Sequence, residues 1–330
     1  VASIRCCAHL SRRSLVLAAR FHRYGNPDVL VIEQAPEPQA SPGSVRIRVQ
    51  AASVNPIDVL LRAGHLHQVL PLDLPAIPGR DAAGVVDQVG PGVTGTNVGD
   101  VVFGLGGLAD TTAEHAVLTA WAPVPSTWTS AQAAAAGLAS ATALAALDAL
   151  GQVLGQAVSP STSGLDALAG RTLLIEGASG AVGSAAAAFA VAAGAQVIGT
   201  ARQGHHGFLA ELGLLPTTYG PGLAERVADL APQGIDAALH AAPSTSLPDL
   251  VEIAGDASAV VTVIDAEGAA RLGAAKVDAR NDSTLLLRAA DLGQRGLYSP
   301  RVAHELPLAA ATRAHALAES SSGKVVITVP

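Results

Sequence analysis

Methionine, lysine and cysteine are what this chain of 330 residues most lacks: it has no methionine, two cysteines and two lysines, Lys276 and Lys324. Cys6 and Cys7 are neighbours near the start, and no later cysteine can pair with either. A disulfide framework is thereby excluded, which fits a reducing, cytoplasmic setting. Acidic residues outnumber basic ones, 27 to 20, for a formal net charge of −7, and no basic run follows Arg23. A nucleic-acid backbone needs clustered Lys and Arg, so nucleic acid is not an expected partner. Aromatic residues are 3% of the chain. No stretch of about 18 uninterrupted apolar residues occurs, so neither a membrane span nor a membrane partner is expected.

What is present is aliphatic. Hydrophobic residues make up 49% and charged residues 14%, and most of the apolar content is Ala, Val and Leu, which pack well between helices and a parallel sheet. The length favours two domains over one core. Residues 1–17 carry Arg5, Arg12 and Arg13 among short apolar pieces, with no long apolar run and no clear cleavage site. They read as an extension without fixed structure in preference to a targeting peptide.

From residue 18 to about 124 the pattern is of short strands broken by Gly and Pro. Residues 44–52 alternate Val45, Ile47 and Val49 with Arg46, Arg48 and Gln50, a half-buried strand. Residues 83–89, 100–105 and 114–118 are further strands, which predicts a small barrel or sandwich. Residues 131–150 are rich in Ala and Leu and read as helix, and 151–169 as a surface connection. The pattern then becomes strand (172–176), glycine turn (177–183), helix (184–193) and strand (196–200). It continues through 209–212, 223–230, 235–241 and 259–264, an α/β alternation that predicts a doubly wound parallel sheet. Residues 324–329 form a terminal strand.

The segment Gly177-Ala178-Ser179-Gly180-Ala181-Val182-Gly183 joins a buried strand to an Ala-rich helix. In such a turn Gly180 lets the backbone approach a pyrophosphate, and Gly183 lets the helix pack on the strand. The free N–H groups and positive dipole end of the helix then face the phosphates. NAD sites usually place an acid at the end of the second strand to hold the ribose 2′-hydroxyl. Here that end reads Ile198-Gly199-Thr200-Ala201-Arg202, without one. Thr200 and Arg202 suit a 2′-phosphate, so the expected cofactor is NADPH.

Several segments resemble the medium-chain dehydrogenase/reductase superfamily, and within it the zinc-independent quinone-oxidoreductase branch. They are Ala51-Ala52-Ser53-Val54-Asn55-Pro56-Ile57-Asp58, then Pro78-Gly79-Arg80-Asp81-Ala82-Ala83-Gly84, then Val98-Gly99-Asp100-Val101-Val102, with Thr142-Ala143 and Gly323-Lys324-Val325-Val326. The resemblance implies a GroES-like β-barrel over residues 18–140, a Rossmann domain over 141–282, and a return to the barrel over 283–330. It implies that cofactor and substrate meet between the domains, often in a homodimer. It places Asn55 and Thr142 at the nicotinamide end, and Tyr219 and Lys324 beside Arg202 near the adenosine phosphate.

Zinc members of this superfamily hold their metal through thiolate and imidazole, the donors Zn²⁺ prefers. By the resemblance, Ser53 stands near the ligating Cys, and Gly79-Arg80-Asp81 stands for Gly-His-Glu, so no metal is expected. Without a metal to polarise a carbonyl, an activated acceptor such as a quinone or an α,β-unsaturated carbonyl is the expected hydride acceptor. An enoyl-thioester reductase, or a weakly active NADPH-binding sensor or structural protein, are the alternatives. The branch often carries a Tyr proton donor after Arg62-Ala63-Gly64. His65 and His67 follow here, and either could donate a proton or orient the substrate; His65 and Asn55 are the catalytic candidates. His240 and Pro243 stand where the family usually shows Asp and Gly.

Overall fold

The computed structural model describes residues 14–155, 164–320 and 323–330. Its first strands follow the alternation in the sequence. β1 (Leu15–Phe21) and β2 (Leu30–Pro36) form an antiparallel hairpin that pairs Leu15 with Pro36 and Phe21 with Leu30. β1 thus takes in residues 15–17, which the sequence assigned to a structureless extension. Leu17 N–H donates to the Glu114 carboxylate at 2.6 Å, and its carbonyl accepts from Glu114 N–H, which fixes the strand there. Residues 1–13 of that extension lie outside the described residues.

β3 (Val45–Val54) is the hub of the barrel sheet. Val45, Ile47 and Val49 are wholly buried while Arg46, Arg48 and Gln50 point outward, as a period of two requires. The helix α1 (Pro56–Ala63) leaves β3 directly, with Pro at its first position and Asp58 accepting the Asn55 N–H at 2.8 Å. β4 (Asp81–Val89) and β6 (His115–Leu118) both pair antiparallel with β3. β5 (Val101–Leu105) pairs with β4, and β7 (Ala120–Pro123) with β5.

The helix α2 (Ser130–Leu154) opens on a reciprocal cap: the Thr129 hydroxyl accepts the Gln132 N–H, and the Gln132 side chain accepts the Thr129 N–H. At 25 residues it is longer than its pattern suggested, and it runs through the domain boundary drawn at 140/141. It is also apolar enough to cross a membrane by length and composition, although Ser140, Thr142 and Asp148 interrupt its apolar run. Of its most apolar window, however, 72% is buried inside the protein. α2 is the shared core helix. Its Ala and Leu side chains pack in one cluster with Phe103 and Leu105 of the barrel and with Leu173, Ile175 and Phe189 of the following domain.

That domain is a six-stranded, wholly parallel sheet. β8 (Thr172–Glu176), α3 (Ala181–Ala192) and β9 (Gln196–Thr200) come first, followed by α4 (His206–Glu211), β10 (Leu215–Thr217) and α5 (Leu223–Leu230). The second half holds β11 (Ala237–His240), α6 (Leu247–Ala254), β12 (Val260–Thr262), α7 (Ala266–Leu272) and β13 (Ala275–Lys276). The strand order is β10-β9-β8-β11-β12-β13. The chain therefore winds outward from β8 in one direction and from β11 in the other, and the reversal between them opens a crevice at the carboxyl ends.

The chain then returns. α8 (Ser283–Gln294) lies on α2 and β7, and β14 (His304–Pro307), α9 (Ala311–Ser320) and β15 (Val325–Thr328) complete the barrel. β15 pairs antiparallel with β3, setting Val325 opposite Val54 and Val326 opposite Ser53.

Candidate functional site

The glycine turn lies where the strand order reverses. Gly177 has a φ of +74°, and a Cβ there would stand 2.8 Å from the Ala242 side chain. A Cβ on Gly183 would stand 2.2 Å from the Gly177 carbonyl oxygen, so only glycine lets α3 seat against the turn. Gly180 differs: a Cβ there would meet only the Gly177 oxygen, at 3.2 Å, and the residue is exposed. α3 begins at Ala181, three residues earlier than the sequence pattern placed it, with Gly180 as its N-cap. The N–H groups of Ala181, Val182 and Gly183 have no acceptor within the helix. Ala178 is buried, Ser179 half-buried and Ala181 exposed, so the outer rim of the turn is backbone facing open space.

Thr200 does not face that space. Its hydroxyl is fully buried and accepts the Gly177 N–H at 3.3 Å, while its carbonyl accepts the Ala178 N–H at 3.1 Å. It holds the turn in place, and the sequence-based assignment of Thr200 to a phosphate is corrected accordingly. Arg202 lies two residues further on, exposed; its carbonyl accepts the His205 N–H at 2.8 Å, and its guanidinium has no hydrogen-bonding partner among the described residues. Tyr219 stands two residues past Thr217, which pairs with Thr200 across β9 and β10, so the two side chains leave adjacent strand ends. Arg226, unremarked in the sequence, fastens the Tyr219 loop by donating to the Thr217 hydroxyl and to the carbonyls of Thr218, Gly220 and Pro221.

Lys324 is elsewhere. The antiparallel register of β15 on β3 sets it opposite Asn55, and its ammonium donates to Asn55 Oδ1 and lies 3.5 Å from Asp81 Oδ2. It is therefore removed from the Arg202 end, which corrects the expected placement. Asp81 is the centre of a buried polar cluster. Its Oδ2 accepts from the Ser53 hydroxyl at 2.6 Å and from Asn55 Nδ2 at 2.9 Å, and its Oδ1 accepts the Leu138 N–H of α2 at 2.7 Å. Asn55 is buried, and its amide is committed to Lys324, Asp81 and Asp58, so it acts as scaffold. Burial pushes the Asp58 carboxyl up to about 7, reinforced by Asp81 and opposed by the Asn55 N–H and Lys324. The sequence singles out Asn55 and Lys324; it offers Ser53 and Asp81 only as residues at the positions of zinc ligands, and Asp58 only as a motif letter. A β-strand feeding an N-cap, Asn55-Pro56-Ile57-Asp58, is the signal that ties Asp58 to Asn55.

Thr142 lies one turn along α2 from the amide that Asp81 holds, and its hydroxyl donates to the Leu138 carbonyl at 2.7 Å. It remains at the edge of the buried region, 9% exposed, with an oxygen lone pair still free to accept. His65 is not gathered into this cluster. It lies exposed just past the left-handed Gly64 cap of α1, its N–H bonded to the Leu60 carbonyl.

His240 turns inward from the carboxyl end of β11 and is fully buried. Its Nδ1 is 2.9 Å from the Thr262 hydroxyl, and its Nε2 is 3.1 Å from the Ser244 hydroxyl and 3.2 Å from Glu176 Oε2. Ser244 and Ser246 both donate to Glu176 Oε1. Burial lowers the His240 pKa, against the pull of Glu176 and Asp265. The pair thus anchors the 241–246 turn, the same turn that backs onto Gly177.

An alcohol dehydrogenase GroES-like domain model matches residues 41–135. Quinone oxidoreductase of Rattus norvegicus is 34% identical over 194 residues, 57% of this chain and 54% of that protein. A solved alcohol dehydrogenase superfamily protein from Novosphingobium aromaticivorans superposes with a TM-score of 0.78 at 27% identity, covering 96% of this chain and 100% of that one. In sequence and fold the chain is similar to the medium-chain dehydrogenase/reductase superfamily. Within this superfamily the likeness includes quinone oxidoreductases, and the barrel and the parallel sheet are the chain's two parts. The alignment spans about half the length of the curated relatives it matches. The superfamily likeness also reaches multidomain synthases: the erythronolide synthase EryA2 of Saccharopolyspora erythraea is 40% identical over 195 residues, 58% of this chain and 5% of that protein.

Proposed function

We propose that this protein is an NADPH-dependent, zinc-independent oxidoreductase acting on a quinone or an α,β-unsaturated carbonyl. One observation carries the reading: an exposed glycine rim and three unbonded helix amides at the sheet's reversal point, beside strand ends that offer Arg202 and Tyr219 and no acid. The residues fit the cofactor. Gly180 leaves the space a pyrophosphate fills, the Ala181, Val182 and Gly183 amides would hold its oxygens, and Arg202 with Tyr219 would hold the 2′-phosphate. Thr142, at the edge of the buried cluster, would meet the nicotinamide end. When bound, the cofactor supplies hydride to an electron-poor acceptor.

The cluster around Asp81 does not suit zinc. It offers no thiolate and no imidazole, both Asp81 oxygens are engaged, and the Lys324 ammonium supplies the local positive charge. The protein's contribution is alignment and the exclusion of water, with Asn55, Asp81 and Lys324 keeping the wall of the crevice rigid. The likeness to quinone oxidoreductases supports the acceptor class. Fluorescence titration tests the cofactor: Arg202→Ala weakens NADPH binding about tenfold and leaves NADH nearly unchanged, as the loss of one charged hydrogen bond implies. A wild-type protein that binds NADH more tightly than NADPH overturns the reading.

A further inference from the structure

Arg80 is a half-buried guanidinium at the seam between the two parts of the molecule, and nothing described so far uses it. Its neighbour Asp81 grips the Leu138 amide, one turn from Thr142 on α2. Its Nη2 donates at 2.9 Å to Asn281, which follows the carboxyl end of β13 and in turn donates to the Gly106 carbonyl and the Thr119 hydroxyl, both at 2.7 Å. Arg80 therefore stands at the seam past the carboxyl end of β13, on the β11-β12-β13 side of the reversal point. Arg202 and Tyr219 leave the opposite side, from β9 and β10.

Arg80 forms no ion pair there. Among the described residues no carboxylate lies within 4.0 Å of it, and the amide of Asn281 is neutral. Its Nε is buried without a partner. Asp110, the nearby carboxyl that its charge acts on, is not paired with it: burial pushes that carboxyl up to about 6, and it accepts the Gly107 N–H at 3.2 Å. A guanidinium fixed at one corner by a neutral amide and held in no ion pair is prearranged for a planar anion, and carboxylate matches its fork.

We infer that Arg80 is the acceptor-binding residue that selects α,β-unsaturated substrates bearing a carboxylate over neutral ones. The inference rests on the oxidoreductase reading for its choice of acceptor, but its test reads binding and not turnover. Crotonate and its neutral isostere crotonamide are titrated calorimetrically into wild type, Arg80→Gln and Arg80→Lys, each with and without NADP⁺. Circular dichroism checks that each variant is folded. Crotonate binding falls at least tenfold in Arg80→Gln and is partly kept in Arg80→Lys, while crotonamide binds all three alike. Equal loss for both ligands, unchanged crotonate binding in Arg80→Gln, or no crotonate binding to wild type overturns the assignment. NADPH affinity, followed by fluorescence in the same proteins, stays level across the series. A wild type that binds crotonate through Arg80 yet binds no NADPH sinks the cofactor reading and spares this one.

Discussion

At the scale of single residues, the chemistry of this protein is set by how few charges it buries and how each is answered. Lys324, 7% exposed, is the one ammonium beside two buried carboxylates, Asp58 and Asp81. Taking it away leaves Asp81 with hydrogen bonds but no countercharge in a dry site, a far costlier state than never having built the pair. Lys324→Met is therefore expected to destabilise the fold by about 3–5 kcal/mol. The double variant Lys324→Met with Asp81→Asn removes the stranded charge and recovers a large part of that loss. Chemical denaturation of the two singles and the double measures the coupling. A double variant no better than Lys324→Met shows that the ammonium acts by packing alone. The register that puts Lys324 opposite Asn55 departs from the placement the resemblance implied, and it was not legible in the chain: the motif Gly323-Lys324-Val325-Val326 announces a strand, but its partner strand is more than 250 residues away.

At the scale of elements, α1 and α9 pack through an unusual contact. Arg62 is 1% exposed and reaches Glu319, leaving Nε and Nη1 unpaired, while His315 is fully buried with both ring nitrogens unpaired. Burial, aided by the Arg62 charge, pushes the His315 pKa down to about 3. The unfolded chain takes up this proton near pH 6.5 and the folded chain only near 3. Between those values unfolding binds a proton, so stability falls as the solution is acidified, by up to about 1.4 kcal/mol per pH unit from this group. Urea melts from pH 7 down to pH 4 are expected to show that slope in wild type and a shallower one in His315→Leu. Identical slopes would mean that His315 is already protonated in the fold. Much of the element pattern was legible beforehand: β8 and β9 fall on the expected residues, because an apolar run closed by a glycine turn has few other readings. α1 and α9 were not legible. α1 is short and begins at an Asn-Pro that reads equally well as a turn, and the burial of Arg62 and His315 depends on packing between distant helices, which periodicity does not encode. The candidate site divides the same way. The glycine turn and Arg202 are local signals, whereas the Thr200 hydroxyl, Glu176 with His240, and Arg80 with Asn281 take their roles from neighbours across the sheet or the seam.

For the molecule as a whole, the decisive feature is that its two parts share one interior. α2 contributes Ala and Leu side chains to a cluster that contains Phe103 and Leu105 of the barrel together with Leu173, Phe189 and Val261 of the parallel sheet. Trp128 joins the same cluster, edge-on to Phe103 and Tyr298, and its indole N–H donates to the Tyr298 carbonyl. A chain this long ordinarily unfolds domain by domain. Here, melting either part strips apolar cover from α2 and so exposes the interior of the other. Tryptophan fluorescence, which reports Trp121 and Trp128 on the barrel side, and far-UV circular dichroism, weighted toward the helices of the parallel-sheet part, are expected to give one common midpoint. NADPH at about 100 times its Kd should raise both by the equivalent of about 2.7 kcal/mol, since a ligand of the folded state stabilises everything that unfolds with its site. A cofactor that moves the dichroism midpoint and leaves tryptophan fluorescence behind would show that α2 fails to couple the parts, and the crevice would then have to be treated as a hinge between independently stable bodies.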